Sequence, residues 1–414
     1  MTSFLALLLA CAGSQKPDPE SAAQPEPTAP AEVSTPQPER VVNMPSPSRA
    51  AVSADYGKRA TDFAMRFHQQ LADGNTATSG ISAEIALSML AAGARGPTEA
   101  EFSELFGAPV DEAWHVDNAR ALAAYNDTLG AELTVTNGLW TQTGFTLLEP
   151  YTQLLSDNYL VQPAQLDFGD ADAAAGVINS WTREHTKGMI DKLFDPPDVQ
   201  GAKVVLANAV AFKGKWAVPF DTADTKPMPF HVGSESVDVP TMNATLEHLS
   251  YVDEEGFSAI ALPYQERAVQ MLIVLPDAGV ELSEVESRMD AQMLGRMTMS
   301  GRRPVNVALP RWEAEFSYDL LEPLAAMGLA TAFRGGDYSG MTEQALSLDA
   351  AIQKVVVTVD EEGTEAAAVT GIVMKTTAMP PPPIDFVVDR PFFWVIWHTE
   401  TRSPLFTGRV VDPR

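Results

Sequence analysis

Apolar residues recur at helical spacing in the first half of the chain and at alternate positions in the second. In "YGKRATDFAMRFHQQLADG", Phe63, Phe67 and Leu71 fall on one helical face, and Gly74 ends the run. "SAEIALSMLAAGARG" predicts a second helix, with Ser82 as N-cap and Glu84 near the positive helix end. Residues 98–107, 111–129 and 171–187 carry further helical patterns. Strand patterns then take over. "ELTVTNGLWTQ" alternates around Leu133, Val135 and Leu139, and "KVVLANAVAFKGKW" is almost continuously apolar, as in a strand buried on both faces. "FSAIALPY", "VQMLIVLPD", "VNVALPRWEAEF", "IDFVVDRPFFWVIWHT" and "LFTGRVVDP" predict more strands. In "IQKVVVTVD", Val355, Val357 and Val359 share one face, with Val356 and Thr358 on the other. Helices grouped early, strands grouped late and no βαβ alternation predict an α+β fold with mostly antiparallel or mixed sheets. No linker interrupts residues 51–414, which reads as one large domain.

The residues before position 51 have a different character. The apolar run Phe4–Ala10 is too short to span a bilayer and ends in Leu-Leu-Ala-Cys. Residues 1–11 read as an export signal and resemble a bacterial lipobox, which implies acylation of Cys11, although no Lys or Arg precedes the run. Residues 12–50 are dominated by Pro, Ser, Glu and Ala, and predict an extended disordered tether. The order predicts an exported lipoprotein anchored at the outer membrane or cell surface, or a periplasmic or secreted protein if Cys11 is not acylated. Ala12 is not the aspartate that often retains lipoproteins inside. Cys11 is the single cysteine, so no intramolecular disulfide is possible. A net charge of −27 argues against nucleic acid as a partner, since phosphate binding needs clustered Lys and Arg.

Candidate chemistry is sparse. His68, His115, His185, His231, His248 and His398 show no metal-ligand spacing, and no other clustered ligand set predicts a metal. A Gly-Lys-Ser/Thr phosphate loop and a Gly-x-Ser-x-Gly nucleophile turn are both missing, and "GGDYSG" around Ser339 does not fit the latter. The expectation is a protein that is not an enzyme, needs no cofactor and is monomeric.

One segment stands apart: "EEGTEAAAVTGIVMKTTAMPPPP", residues 361–383. Asp360-Glu361-Glu362-Gly363 interrupts the preceding strand, and Gly363 can take backbone angles that other residues avoid. Beyond it, Thr364, Ala366, Ala368, Thr370, Ile372, Met374 and Thr376 would share one face of a strand. Glu365, Ala367, Val369, Gly371, Val373 and Lys375 would share the other. The first face carries no charge and begins with four small residues. That suits a strand slipped between two existing strands, where large side chains would clash. Proline is absent from Ala351 to Met379 and then occurs four times, so a ladder could form only to about Thr377. The same composition suits an exposed loop that never inserts, and the pattern alone leaves both open.

The residues that break the tie are motifs. "VDEEGTEAAAVT" resembles the hinge of the serpins; "LANAVAFKGKWAVPFD" and "DRPFFWVIWHTETRSPLFTGRVVDP" resemble two more of their signatures. "SGISAEIALSMLAAGARGPT", "INSWTREHTKGMI" and "YDLLEPLAAMGLATAF" follow in family order, so the resemblance covers residues 51–414. It implies three β-sheets, eight or nine helices and an exposed reactive-centre loop. It also implies a suicide inhibitor of serine or cysteine proteases, with a non-inhibitory binding or carrier protein as the alternative. The implied hinge is Glu361, Gly363, Thr364, Glu365, Ala366, Ala367 and Ala368. Ser82, Asn208, Trp216, Arg311 and Gln353 are implied to control sheet opening, with Arg311 the basic partner of Glu361. Two positions depart from the family: Gln353 replaces the usual histidine, and Gly80 the usual proline. Seventeen residues counted from Glu361 put the reactive bond at Thr377–Ala378, with Lys375–Thr376 second.

Overall fold

The computed structural model describes residues 51–71, 73–126, 131–265, 268–346, 350–363 and 382–414. Cys11, the tether, hinge residues Thr364 to Ala368 and the bonds Lys375–Thr376 and Thr377–Ala378 lie outside the described residues. The chain runs α1 (Tyr56–His68), β1 (Thr76–Thr78), α2 (Gly80–Gly93), α3 (Gly96–Phe106), α4 (Glu112–Asn126), β2 (Ala131–Gln142), α5 (Glu149–Tyr159), β3 (Ala164–Leu166), α6 (Ala171–His185) and α7 (Pro196–Val199). It continues with β4 (Val204–Gly214), β5 (Lys226–Val232), β6 (Glu235–Glu254), β7 (Phe257–Pro263), β8 (Val269–Pro276), α8 (Leu282–Glu286), α9 (Ala291–Met299), β9 (Arg302–Pro310) and β10 (Trp312–Asp319). It ends with α10 (Leu321–Ala326), β11 (Ala350–Val359), β12 (Ile384–Val387), β13 (Phe392–His398) and β14 (Ser403–Val410). The described residues thus hold ten α-helices, of which α7, α8 and α10 are only four, five and six residues long.

The strands form two hydrogen-bonded sheets among the described residues. One has five strands in the order β10-β11-β4-β2-β3. The other has nine, in the order β1-β14-β13-β8-β7-β6-β9-β12, with β5 on β6. The expected three sheets become two because the twenty-residue β6 belongs to two groups of strands. Its first part pairs with β5 and β9, and its last part, from Ser250, with β7. A register shift between Leu246 and Leu249 bends it between the two. β5 and β6 escaped the sequence pattern because β5 carries Pro227 and Pro229. Prolines are tolerated there because β5 pairs only with β6.

Small residues set how the first two helices meet. A Cβ at Gly80 would lie 2.4 Å from Ala64 Cβ and 2.5 Å from Ala64 Cα, so α1 crosses α2 where position 80 has no side chain. This explains why a proline is not accommodated there. The helix start is also corrected. Ser79, not Ser82, caps α2, its Oγ accepting from Ser82 N at 3.3 Å. Ser82 is left free to face the sheet, and α2 packs on both β4 and β14. β4 is buried along almost its whole length, as its unbroken apolar run predicts.

Replacing Gly80 by Ala should force α1 off α2. We expect a loss of about 2 kcal/mol, of the size typical of overpacking, read as a lower urea midpoint. An unchanged midpoint would show that the crossing has slack.

Candidate functional site

The site grows from the neighbouring strands β4 and β11. They run parallel, with register pairs from Ala350–Val205 to Val356–Ala211. β10 flanks β11 and β2 flanks β4, both antiparallel. Gln353 stands opposite Asn208, and Asn208 opposite Asn137, so three amides form a row across the sheet. Alternation puts Gln353 on the buried face of β11 with Val355, Val357 and Val359.

Buried amides need partners, and here α2 supplies them. Gln353 Nε2 donates to Asn208 Oδ1 at 3.0 Å and to Ser79 O at 2.9 Å. Its Oε1 accepts from Thr78 Oγ1 at 2.9 Å and from Ser79 N at 3.2 Å. Asn208 Nδ2 donates to Ser82 Oγ at 2.5 Å, Ser82 O at 3.1 Å and Asn137 Oδ1 at 2.8 Å. Gln353, Asn208 and Ser82 are thus brought into one buried cluster beneath the β4–β11 seam. Thr78, Ser79 and Asn137 belong to it as well. Sequence reasoning passed over them because a strand-end Thr, a helix cap and a mid-strand Asn each have an ordinary local reading.

At one end the seam is open. The β4–β11 pairing stops at Ala211–Val356, three residues before either strand ends. Beyond Val359 the chain reverses. Asp360 N donates to Gly363 O at 2.9 Å, Gly363 N to Asp360 O at 3.3 Å, and Asp360 Oδ1 accepts from Glu362 N at 3.0 Å. Gly363 then pairs antiparallel with Lys215, the residue after β4. Its φ is +140°, and a Cβ there would lie 2.0 Å from Gly214 O, so only glycine fits. Gly363 therefore lies between the end of β11 and the end of β4.

The turn is pinned from outside. Trp216 N donates to Glu362 O and Trp216 Nε1 to Asp360 O, both at 2.9 Å, and its ring stacks on Tyr264 at 4.5 Å. Phe220 N donates to Glu361 O at 2.8 Å. The buried Glu361 carboxylate accepts from Thr225 Oγ1 at 2.7 Å and faces Arg311 Nε at 3.6 Å. Arg311 is half exposed, so water screens the ion pair and it adds less than the hydroxyl bond. On the outer face of β11, Lys354 Nζ contacts Glu315 at 2.9 Å and donates to Lys192 O at 3.1 Å. The segment after α6 is thereby tied across the sheet.

Among the described residues no three His, Cys, Asp or Glu side chains could together hold a metal, and no helix is long and apolar enough to cross a membrane. The amide cluster has no titrating member, so acid sensitivity arises elsewhere. Burial lowers His115 and His398 to about 4.

Comparison with known proteins agrees with the architecture. The sequence matches the family described as "Serpin (serine protease inhibitor)" over residues 58–413. It is 30% identical over 383 residues to alpha-1-antitrypsin 1-1 of Mus musculus, covering 89% of this chain and 90% of that one. It is 32% identical over 385 residues to leukocyte elastase inhibitor of Sus scrofa, covering 87% and 99%. The structure is similar to human thyroxine-binding globulin complexed with thyroxine, with TM-score 0.78, 28% identity and coverage of 87% and 98%.

Two outcomes are expected. Gln353→Leu strands the partners of both amide atoms and should lower stability by roughly 2–3 kcal/mol in urea unfolding; equal stability would show that the cluster holds nothing. For His115 and His398 the fold favours the neutral ring, so their contribution is complete above pH 6.5 and is lost as pH falls towards about 4. Each accounts for up to about 3 kcal/mol, and a His115→Gln/His398→Gln variant should show a flatter urea midpoint across that window.

Proposed function

This chain belongs to the serpin family, and we propose that it is an irreversible suicide inhibitor of serine or cysteine endopeptidases. The observation that carries this reading is the position of Gly363, which already occupies the first place between β11 and β4. Continuing that register would place Thr364 between Val359 and Gly214, and Ala366 between Val357 and Phe212. Ala368 would follow between Val355 and Val210, and Thr370 between Gln353 and Asn208. Each would fall on the buried face, and each is small. The register set by Gly363 on both sides agrees with the existing β4–β11 register, so insertion needs no slip of either strand.

The proposed sequence of events balances. The protease nucleophile attacks the carbonyl carbon of Thr377, the bond to Ala378 breaks, Ala378 leaves as the new amino terminus, and Thr377 remains as an acyl ester or thioester. Lys375–Thr376 is the second choice. The released strand then zips between β4 and β11, replacing one parallel pairing with two antiparallel ones of slightly better geometry. Fourteen residues at roughly 3.3 Å each carry the acylated protease about 45 Å. Distortion of its active site would leave the ester unhydrolysed. The cost is opening the amide cluster, where Thr370 can offer its hydroxyl to Gln353 or Asn208.

For the amino-terminal residues we propose an acylated Cys11 and an exported, membrane-tethered protein. A Cys11→Ser variant should lose metabolic labelling by fatty acid in a bacterial host, and equal labelling would overturn the anchor.

Incubation with trypsin-, elastase- and subtilisin-like proteases should give an SDS-stable complex with at least one, and the cut chain should melt at a higher temperature. Ala366→Arg buries a charge beside Val357 and Phe212, and should reduce complex yield by more than about tenfold while cleavage continues. Cleavage across the panel with neither complex nor thermal gain would support the binding-protein alternative instead.

A further inference from the structure

The amide cluster is held by the first turn of α2, and the opposite face of that helix carries an unusual group. Glu84 lies one turn beyond Gly80, on the stripe that packs against α1, and roughly 200° around the helix from Ser82. It is 1% exposed, and neither carboxylate oxygen has a hydrogen-bond partner. The groups that act on it are Arg59 and Tyr56 from α1, Tyr125 from α4 and Tyr159 from α5. Arg59 does not bond to it. The guanidinium sits 4.0 Å from the centre of the Trp114 ring, and its buried Nε and Nη2 also lack partners. The three tyrosines are buried and hydroxyl-bonded, Tyr56 to Tyr125 and Tyr125 to Ser403 at 3.0 Å each and Tyr159 to His115 Nδ1 at 2.6 Å, and burial keeps them neutral.

We propose that Glu84 is a proton-binding switch that sets how readily the sheet opens between β4 and β11. A protonated Glu84 is a neutral side chain that the α1–α2 interface tolerates. An ionised Glu84 is a charge without hydrogen bonds, separated from its nearest cation, and it disfavours the close crossing at Gly80 and Ala64. α2 transmits the change, because Ser79 and Ser82 hold Gln353 and Asn208. Burial pushes the Glu84 carboxyl up to about 7, with Arg59 opposing, so the change falls in the neutral range. The raised value means that the fold favours the protonated acid. Its contribution is complete below about 4.5 and is lost as pH rises through about 7. This is opposite in sign to the buried histidines and separable from them above pH 6.5. The functional consequence rests on the proposed insertion mechanism; the effect on the native fold does not.

The test compares unfolding rates in fixed guanidinium from pH 6.5 to 8.5 for the full chain and for Glu84→Gln, with Glu84→Met as a second variant should Gln fail to fold. The wild-type protein should unfold up to about fourfold faster at the upper end, and the variant at one slow rate throughout. A variant that keeps the wild-type pH dependence overturns the proposal. In parallel, a synthetic peptide of residues 364–376 should anneal faster at pH 8.5 than at 6.5 to the wild type only. Annealing that accelerates equally in the variant also counts against Glu84. Failure of the peptide to anneal to either protein at any pH overturns the insertion reading instead, leaving the unfolding rates to decide the switch.

Discussion

The hydrogen bond from Gln353 Nε2 to Asn208 Oδ1 crosses the seam between β11 and β4, and the organisation of the molecule converges on it. A parallel pair of strands in the middle of a sheet has no turn to tie its members together. Here they are joined by their ladder and by amides that reach across and down to α2. Because those amides are buried, parting them leaves donors and acceptors unpaired until another polar group arrives. The seam therefore behaves as a latch, closed at Gln353 and already ajar at Gly363.

The two ends of the seam are controlled by different physics. At the open end, backbone geometry dominates. A two-residue reversal at Glu361–Glu362 is fixed by the Asp360 carboxylate, Trp216 and the Glu361 anchor, and it sets Gly363 between the ends of β11 and β4. At the closed end, packing dominates. α2 can bring Ser79 and Ser82 up to the amides only because Gly80 lets α1 pass close beneath. Replacing the titratable histidine of the family pattern with Gln353 makes the latch itself indifferent to pH. Buried groups with shifted titration lie elsewhere, at Glu84 in α2, His115 in α4 and His398 at the end of β13.

Some of this was legible in order along the chain. Val355, Val357 and Val359 gave away β11 because a strand half-buried against a core must alternate. The apolar run of β4 marked a strand covered on both faces. The small face read from Thr364 onwards lies outside the described residues. Other parts were hidden. α5 carries Pro150 in its first turn and mixes polar residues through its apolar stripe, and β6 alternates too weakly to stand out. The N-cap of α2 was placed three residues late because Ser79 and Ser82 are chemically the same.

The sequence by itself determined periodicity and motif order, since these depend on neighbours in the chain and on which backbone angles each residue accepts. Only the tertiary structure decided which serine caps the helix and which amide meets which. It also decided that Gly363 lies against Gly214 and that a carboxylate is sealed between α1 and α2. Those outcomes depend on residues brought within a few ångströms from distant parts of the chain. Gln353 and Ser79 are 274 positions apart, and no local pattern encodes that distance.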